Sequence, residues 1–188
     1  MKGGNIPIGR QLEAINKRLS QAVGEIENRT AAGITLAALW AKGEAMKLCP
    51  VVTGNLRGSA FVTGAGQPAP IAVFRSTGPG NDKINAAKMQ ERHQAIVAES
   101  ASRVAAAPAS RPLSEVGFTA VYAMTVHENP RAGKTGGTGG IVDLLEAERE
   151  AAGSEEITWS RVGQWQFLAT PLRRRKQILS IIAGEVTF

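Results

Sequence analysis

Between residues 8 and 26 apolar side chains return at alternating steps of four and three: Ile8, Leu12, Ile15, Leu19, Ala22 and Ile26. Those steps keep all six on one side of a helix of about 3.6 residues per turn, with charged residues on the other side. Such a helix draws its stability from packing the stripe more than from propensity, so the fold must be built around a long N-terminal helix. Gly33 is expected to interrupt it. A second helical pattern, Leu36, Leu39, Trp40, Gly43 and Met46, must stop before Pro50, because a proline pushes the residue ahead of it out of the helical region.

After "PVVTGNLRGS", a turn-rich connector, the segments "SAFVTG" and "IAVFRST" read as two short strands separated by "AGQPAP". Asn81 or Asp82 caps an alanine-rich, weakly amphipathic helix that ends at Pro108. The clearest strand signal is "EVGFTAVYAMTVHE", in which Val116, Phe118, Ala120, Tyr122, Met124 and Val126 share one parity and so one buried face. The acidic segment after Gly140 reads as a short helix with Ile141, Leu144 and Leu145 inward, and "ITWSRV" as one more strand. In "FLATPLRRRKQILSIIAGEV" Thr170 is a good N-cap and Pro171 suits the first helical position, with Leu168, Leu172, Leu179, Ile182 and Val186 along one side. The expected fold is α+β: a small, mostly antiparallel sheet packed by a long N-terminal helix and a C-terminal helix, with inserted helical and loop segments.

A chain of 188 residues supports one ordinary core, so a single domain over 1–188 is expected, with insertions at approximately 81–112 and 129–160. The first residues hold no apolar run, and the longest uncharged apolar stretch, "AGITLAALWA", is far shorter than a membrane span; a soluble, unexported protein is expected, with no membrane partner. Cys49 is the sole cysteine, which excludes an internal disulfide and a cysteine-rich zinc site, and it reads as a small buried hydrophobe.

Signals for catalysis are absent. "VHENPRAGKTGGTGG" contains Gly133-Lys134-Thr135, but a phosphate-cradling loop needs a glycine five positions earlier, where Glu128 stands, and Pro130 removes a backbone donor. A mobile basic loop is the reading. His127 and Glu128, on a strand, would leave on opposite faces and form no dyad, and His93 stands alone in a polar helix. No nucleophile elbow or metal-ligand spacing occurs. A non-enzyme without catalytic residues, cofactor or metal is expected.

The net charge of +6 is unevenly spread. "DLLEAEREAAGSEE" carries six carboxylates, Asp143, Glu146, Glu148, Glu150, Glu155 and Glu156, against Arg149, whereas Arg173, Arg174, Arg175 and Lys176 are purely basic. Opposite patches on one small protein favour contacts between copies as readily as contacts with nucleic acid.

Three separated segments, "KLCPVVTGNLRGSAFV", "AVYAMTVHE" and "QFLATPLRRRKQILSIIAGEV", together resemble the neck or tail-completion (head-tail joining) proteins of long-tailed bacteriophages. The first is similar to a Pro-x-x-Thr-Gly-x-Leu-Arg-x-Ser signature, through Pro50, Thr53, Gly54, Leu56, Arg57 and Ser59. The second is similar to a Tyr-Ala-x-x-Val-Glu strand, through Tyr122, Ala123, Val126 and Glu128. The third is similar to a Phe-Leu-x-Pro-Ala-Leu start of the closing helix, through Phe167, Leu168, Pro171 and Leu172. Val52 stands where that family often has an acid, and Asn129 where an aromatic is usual.

The resemblance implies a structural virion protein, assembled in the host cytoplasm, that forms a cyclic homo-oligomer, a hexamer or dodecamer, between head connector and tail. Its partners would be its own copies, head-closure and tail terminator or tail tube proteins, and DNA passing through the channel without sequence specificity. A tail terminator or minor tail protein is the alternative within the virion. A cytoplasmic DNA-binding regulator would explain the basic charge but lacks a recognisable helix-turn-helix. The basic run at 173–176 is expected to meet either the acidic run, Asp143, Glu146, Glu148 and Glu150, of an adjacent subunit or DNA phosphates.

Overall fold

The structure, a computed structural model, describes residues 8–49, 54–67, 70, 72–74, 86–121, 123–128 and 166–186. Its spine is α1, Ile8–Leu48, a single helix of 41 residues. It stops just ahead of Pro50, as the proline requires, but Gly33 does not interrupt it. Gly33 is buried, and a Cβ placed on it would lie 3.1 Å from both Cα and O of Ile182. The glycine therefore lets another helix approach closely. A mid-helix glycine costs about 1 kcal/mol against alanine, and this close packing offsets the cost.

The chain then turns through α2, Asn55–Gly58, into β1, Ala60–Thr63. β1 pairs antiparallel with β2, Glu115–Phe118, with Ala60 opposite Phe118 and Thr63 opposite Glu115. Among the described residues these two strands are the whole sheet. Ala72–Phe74, expected in a strand, have no ladder partner there. Between the strands lies α3, Ala86–Ala106, which ends two residues before Pro108. The expected cap at Asn81 or Asp82 falls outside the described residues.

The long strand expected over 115–128 is corrected. Among the described residues of that span the strand is confined to Glu115–Phe118, and Ala123–Glu128 form a short helix, α4. Ala120, Ala123 and Val126 are buried while Met124 is 72 % exposed. The buried positions recur every third residue, so a helical turn satisfies them where a strand would have forced Met124 into the core.

The closing helix is also corrected, into two pieces: α5, Ala169–Leu172, and α6, Arg175–Val186. Thr170 lies inside α5 rather than capping it; Leu168 holds the cap position without a side-chain cap bond, and Pro171 is buried. Leu172 and Leu179 point outward, whereas Ile178, Ile181 and Ile182 are half-buried. Arg174 lies beside Glu44 and Ile182 beside Gly33, so α6 runs antiparallel along α1. The central apolar cluster, Ala45, Cys49, Leu56, Met89, Ala120, Ala123, Val126 and Phe167, sits where the C-terminal end of α1 meets α2, α4 and the start of α5.

Candidate functional site

Five of the motif residues that the structure describes meet at that cluster, whereas Glu128 and Leu172 are exposed. Leu56 from the first segment, Ala123 and Val126 from the second and Phe167 from the third are all buried in it, and Leu168 packs against it. Phe167 is the hub. Its ring meets Phe118 edge-on at 5.0 Å and His127 at 5.1 Å, joining β2, α4 and the approach to α5. The second and third segments are also tied through the backbone, since the Gln166 N–H donates to the His127 carbonyl at 2.7 Å. Gln166 has φ 53°, a left-handed conformation rare outside glycine, and that bond helps hold it there.

The turn residues explain how the first segment reaches this place. Gly54 has φ +86° and ψ −7°, a conformation that L side chains resist, and it lets the chain enter α2 directly. Ser59 is fully buried and its hydroxyl donates to the Leu56 carbonyl at 2.7 Å, closing the turn that aims Leu56 inward. The Ser59 carbonyl then accepts the Thr119 N–H at 3.1 Å, extending the pairing of β1 with β2 by one more bond. Arg57 is half-buried and its Nε has no hydrogen-bond partner, so that atom does not hold a carboxylate or a turn carbonyl. Pro50, Thr53 and Tyr122 lie outside the described residues, as do Asp143, Glu146, Glu148 and Glu150, the loop at 130–140, the acidic helix and the "ITWSRV" strand.

His127 and Glu128 are corrected as a pair. At the end of α4, His127 Nδ1 donates to Glu128 Oε1 at 2.7 Å, a contact that a strand would have denied them. The other ring nitrogen, Nε2, is buried without a partner. Cys49 is 1 % exposed, and burial pushes its thiol up to about 12, which makes it an inert packing group.

Sequence reasoning missed a polar seam beneath α3. His93 is fully buried between Phe61 and Phe74, its Nδ1 bonded to Thr119 Oγ1 at 2.9 Å and its Nε2 3.4 Å from the Pro70 carbonyl. Burial holds its pKa below the ordinary imidazole value. Ser100 of α3 bonds Thr63 of β1, and Ser114 bonds Thr35 of α1 at 2.9 Å. Outside the seam Arg103 grips Glu115 with two bonds of 2.7 Å, and those bonds keep the Glu115 carboxyl below its ordinary range. The inward stripe of α3 is Met89, His93, Val97 and Ser100, half of it polar. The helical spacing was there to be found, but hydropathy alone hides it.

Of the basic run, Arg173 donates to Gln166 Oε1 at 2.8 Å and Arg174 lies 3.5 Å from Glu44, while Arg175 and Lys176 are exposed with no ion-pair partner among the described residues. The run spans the break between α5 and α6 rather than the first turns of one helix. A groove of about 540 Å³ lies between α3, α1 and the turn after β1, lined by Val97, Ala101, Val104 and Leu113 among others, and no motif residue borders it. Among the described residues no three His, Cys, Asp or Glu gather as a metal site, and no helix is long and apolar enough to cross a membrane.

Comparison with family models, curated proteins and solved structures finds no match to this chain.

Proposed function

We propose that the protein is a structural subunit of the phage head-to-tail interface, a ring component joining head connector to tail around the DNA channel. The observation that carries this reading is the meeting of three sequence-distant motif segments in one apolar cluster through Leu56, Ala123, Val126 and Phe167. In such a subunit the motif builds the body and the charged surfaces make the assembly. A cyclic ring repeats one heterologous contact, each copy offering one patch to a different patch on the next. Arg175 and Lys176 are exposed at the start of α6, where the helix dipole disfavours cations, so their placement answers to a partner. The acidic run at 143–156 of an adjacent subunit is that partner; DNA in the channel must slide, which disfavours a tight multi-cation grip on every subunit.

The test is a reciprocal charge reversal. Changing Arg173, Arg174 and Arg175 to Glu blocks assembly of rings or particles, seen by mass and electron microscopy, and adding Glu146, Glu148 and Glu150 to Lys partly restores it. An arginine variant that assembles normally but ejects DNA abnormally would move the basic run to the channel. A wild-type protein that instead shifts a DNA duplex at moderate salt and forms no ring would favour the regulator reading.

A further inference from the structure

The apolar strip of α1 has two halves with different fates. In the C-terminal half Gly33, Ala37 and Ala41 are buried, with Gly33 against Ile182 of α6. In the N-terminal half Ile8, Leu12, Ile15, Leu19, Val23 and Ile26 are exposed, from 42 % at Ile26 to 76 % at Ile8. At about 100° per residue these six fall within roughly 80° of arc, and Gly33 and Ala37 continue the same arc. The described part of α6 ends at Val186, four residues beyond its contact with Gly33. Among the described residues nothing therefore covers the strip for about 27 Å past the point where the described part of α6 stops.

We propose that residues 8–26 dock on the same segment of further copies of this chain, as parallel helices in register. The alternating steps of four and three, with Ala22 completing the repeat, make a coiled-coil seam, which fits a helix of the same repeat better than a flat surface. Flanking the seam are Gln11, Arg18 and Glu25 on one side and Asn16, Val23 and Thr30 on the other. Parallel register sets Arg18 opposite Val23 and Glu25 opposite Thr30 of the neighbouring copy, so no like charges face each other. Antiparallel helices with the full seam overlapped would set Arg18 against Arg18.

Size agrees with the occupant. The six residues expose roughly 650 Å² on each copy, more than the largest apolar patch of an ordinary monomer, and a pair of copies covering all of it would bury roughly 1,300 Å², which clears the area a stable interface needs. Leu12 and Leu19 fall at one inward position of the repeat and Ile8 and Ile15 at the other. That arrangement shifts parallel coiled coils beyond two strands, to three or four.

This inference rests on the strip alone and not on the head-to-tail reading. The full chain is sized by light scattering and sedimentation, beside Leu12→Gln/Leu19→Gln, whose side chains are already exposed in the single subunit. Wild type has the mass of three or four copies, and the variant keeps its circular dichroism spectrum and becomes monomeric. Ile15→Cys forms disulfide-linked pairs on oxidation, and a mixture of Ile8→Cys with Ile26→Cys proteins gives no cross-link between the two variants. A monomeric wild type, with the strip covered by its own chain or by another protein, overturns the proposal, as does an oligomer unchanged by the glutamines or an Ile8–Ile26 cross-link. A three- or four-helix bundle leaves no axial channel. Such a bundle as the sole assembly supports this inference and counts against the ring, while a larger ring indifferent to the glutamines does the reverse.

Discussion

Replacing Gly54 separates backbone strain from packing, because a Cβ added there meets nothing within 4 Å although φ is +86°. The cost of adding a Cβ at this position therefore comes from conformation and not from a clash. An L residue in the left-handed region costs about 1–2 kcal/mol, and alanine recovers about 0.4–1 kcal/mol by restricting the unfolded chain. Gly54→Ala is therefore destabilised by up to about 1.6 kcal/mol, net of those two effects. Gly54→Val loses about 1–3 kcal/mol, since a β-branched side chain resists positive φ most. Asn tolerates this conformation, so Gly54→Asn falls closest to wild type. Urea unfolding followed by circular dichroism reads the series, and for a chain of this size each kcal/mol moves the thermal midpoint by about 2–4 °C. Gly66 is an internal control, with φ +71° and equally open space. Wild-type stability in both Gly54→Ala and Gly54→Val would refute the reasoning, and so would Asn proving as damaging as Val.

Three further outcomes follow from the geometry. His93 is held neutral by burial, so the unfolded chain takes up a proton below pH about 6.5 that the folded chain refuses, and stability falls by about 1.4 kcal/mol per pH unit from there down to the folded pKa; His93→Gln flattens that slope in unfolding measured between neutral and mildly acid pH. Phe167→Ala empties the meeting point of the three motif segments and costs about 3–5 kcal/mol in denaturant unfolding. Gly64→Val drives a side chain into Thr35 and Ser114, whose hydroxyl oxygens would lie 2.5 and 2.7 Å from its Cβ, and overpacking of this kind costs about 1–3 kcal/mol in the same assay.

Features that depend on a single residue and its immediate neighbours were legible in the sequence alone. Pro50 ends α1 at Leu48, Pro108 ends α3 at Ala106, Gly54 takes the turn, and Cys49 is buried. Each is a matter of local sterics or transfer from water, which no distant contact reverses. The α+β class and the framing of a small antiparallel sheet by an N-terminal and a C-terminal helix were legible for the same reason.

Tertiary structure decided wherever two local readings were equally good. The apolar residues from 116 to 126 fit a period of two and also a recurrence of three at Ala120, Ala123 and Val126; packing on Phe167 and α1 selects the helix and leaves Met124 in solvent. Gly33 reads locally as a breaker, and only the approach of Ile182, far along the chain, makes it a helix–helix contact. The polar seam was hidden for a related reason. Its partners are 79, 37 and 26 residues apart, in Thr35–Ser114, Thr63–Ser100 and His93–Thr119. A buried polar group is tolerable only when it is paired, and its pairing exists only once the fold has brought the partner.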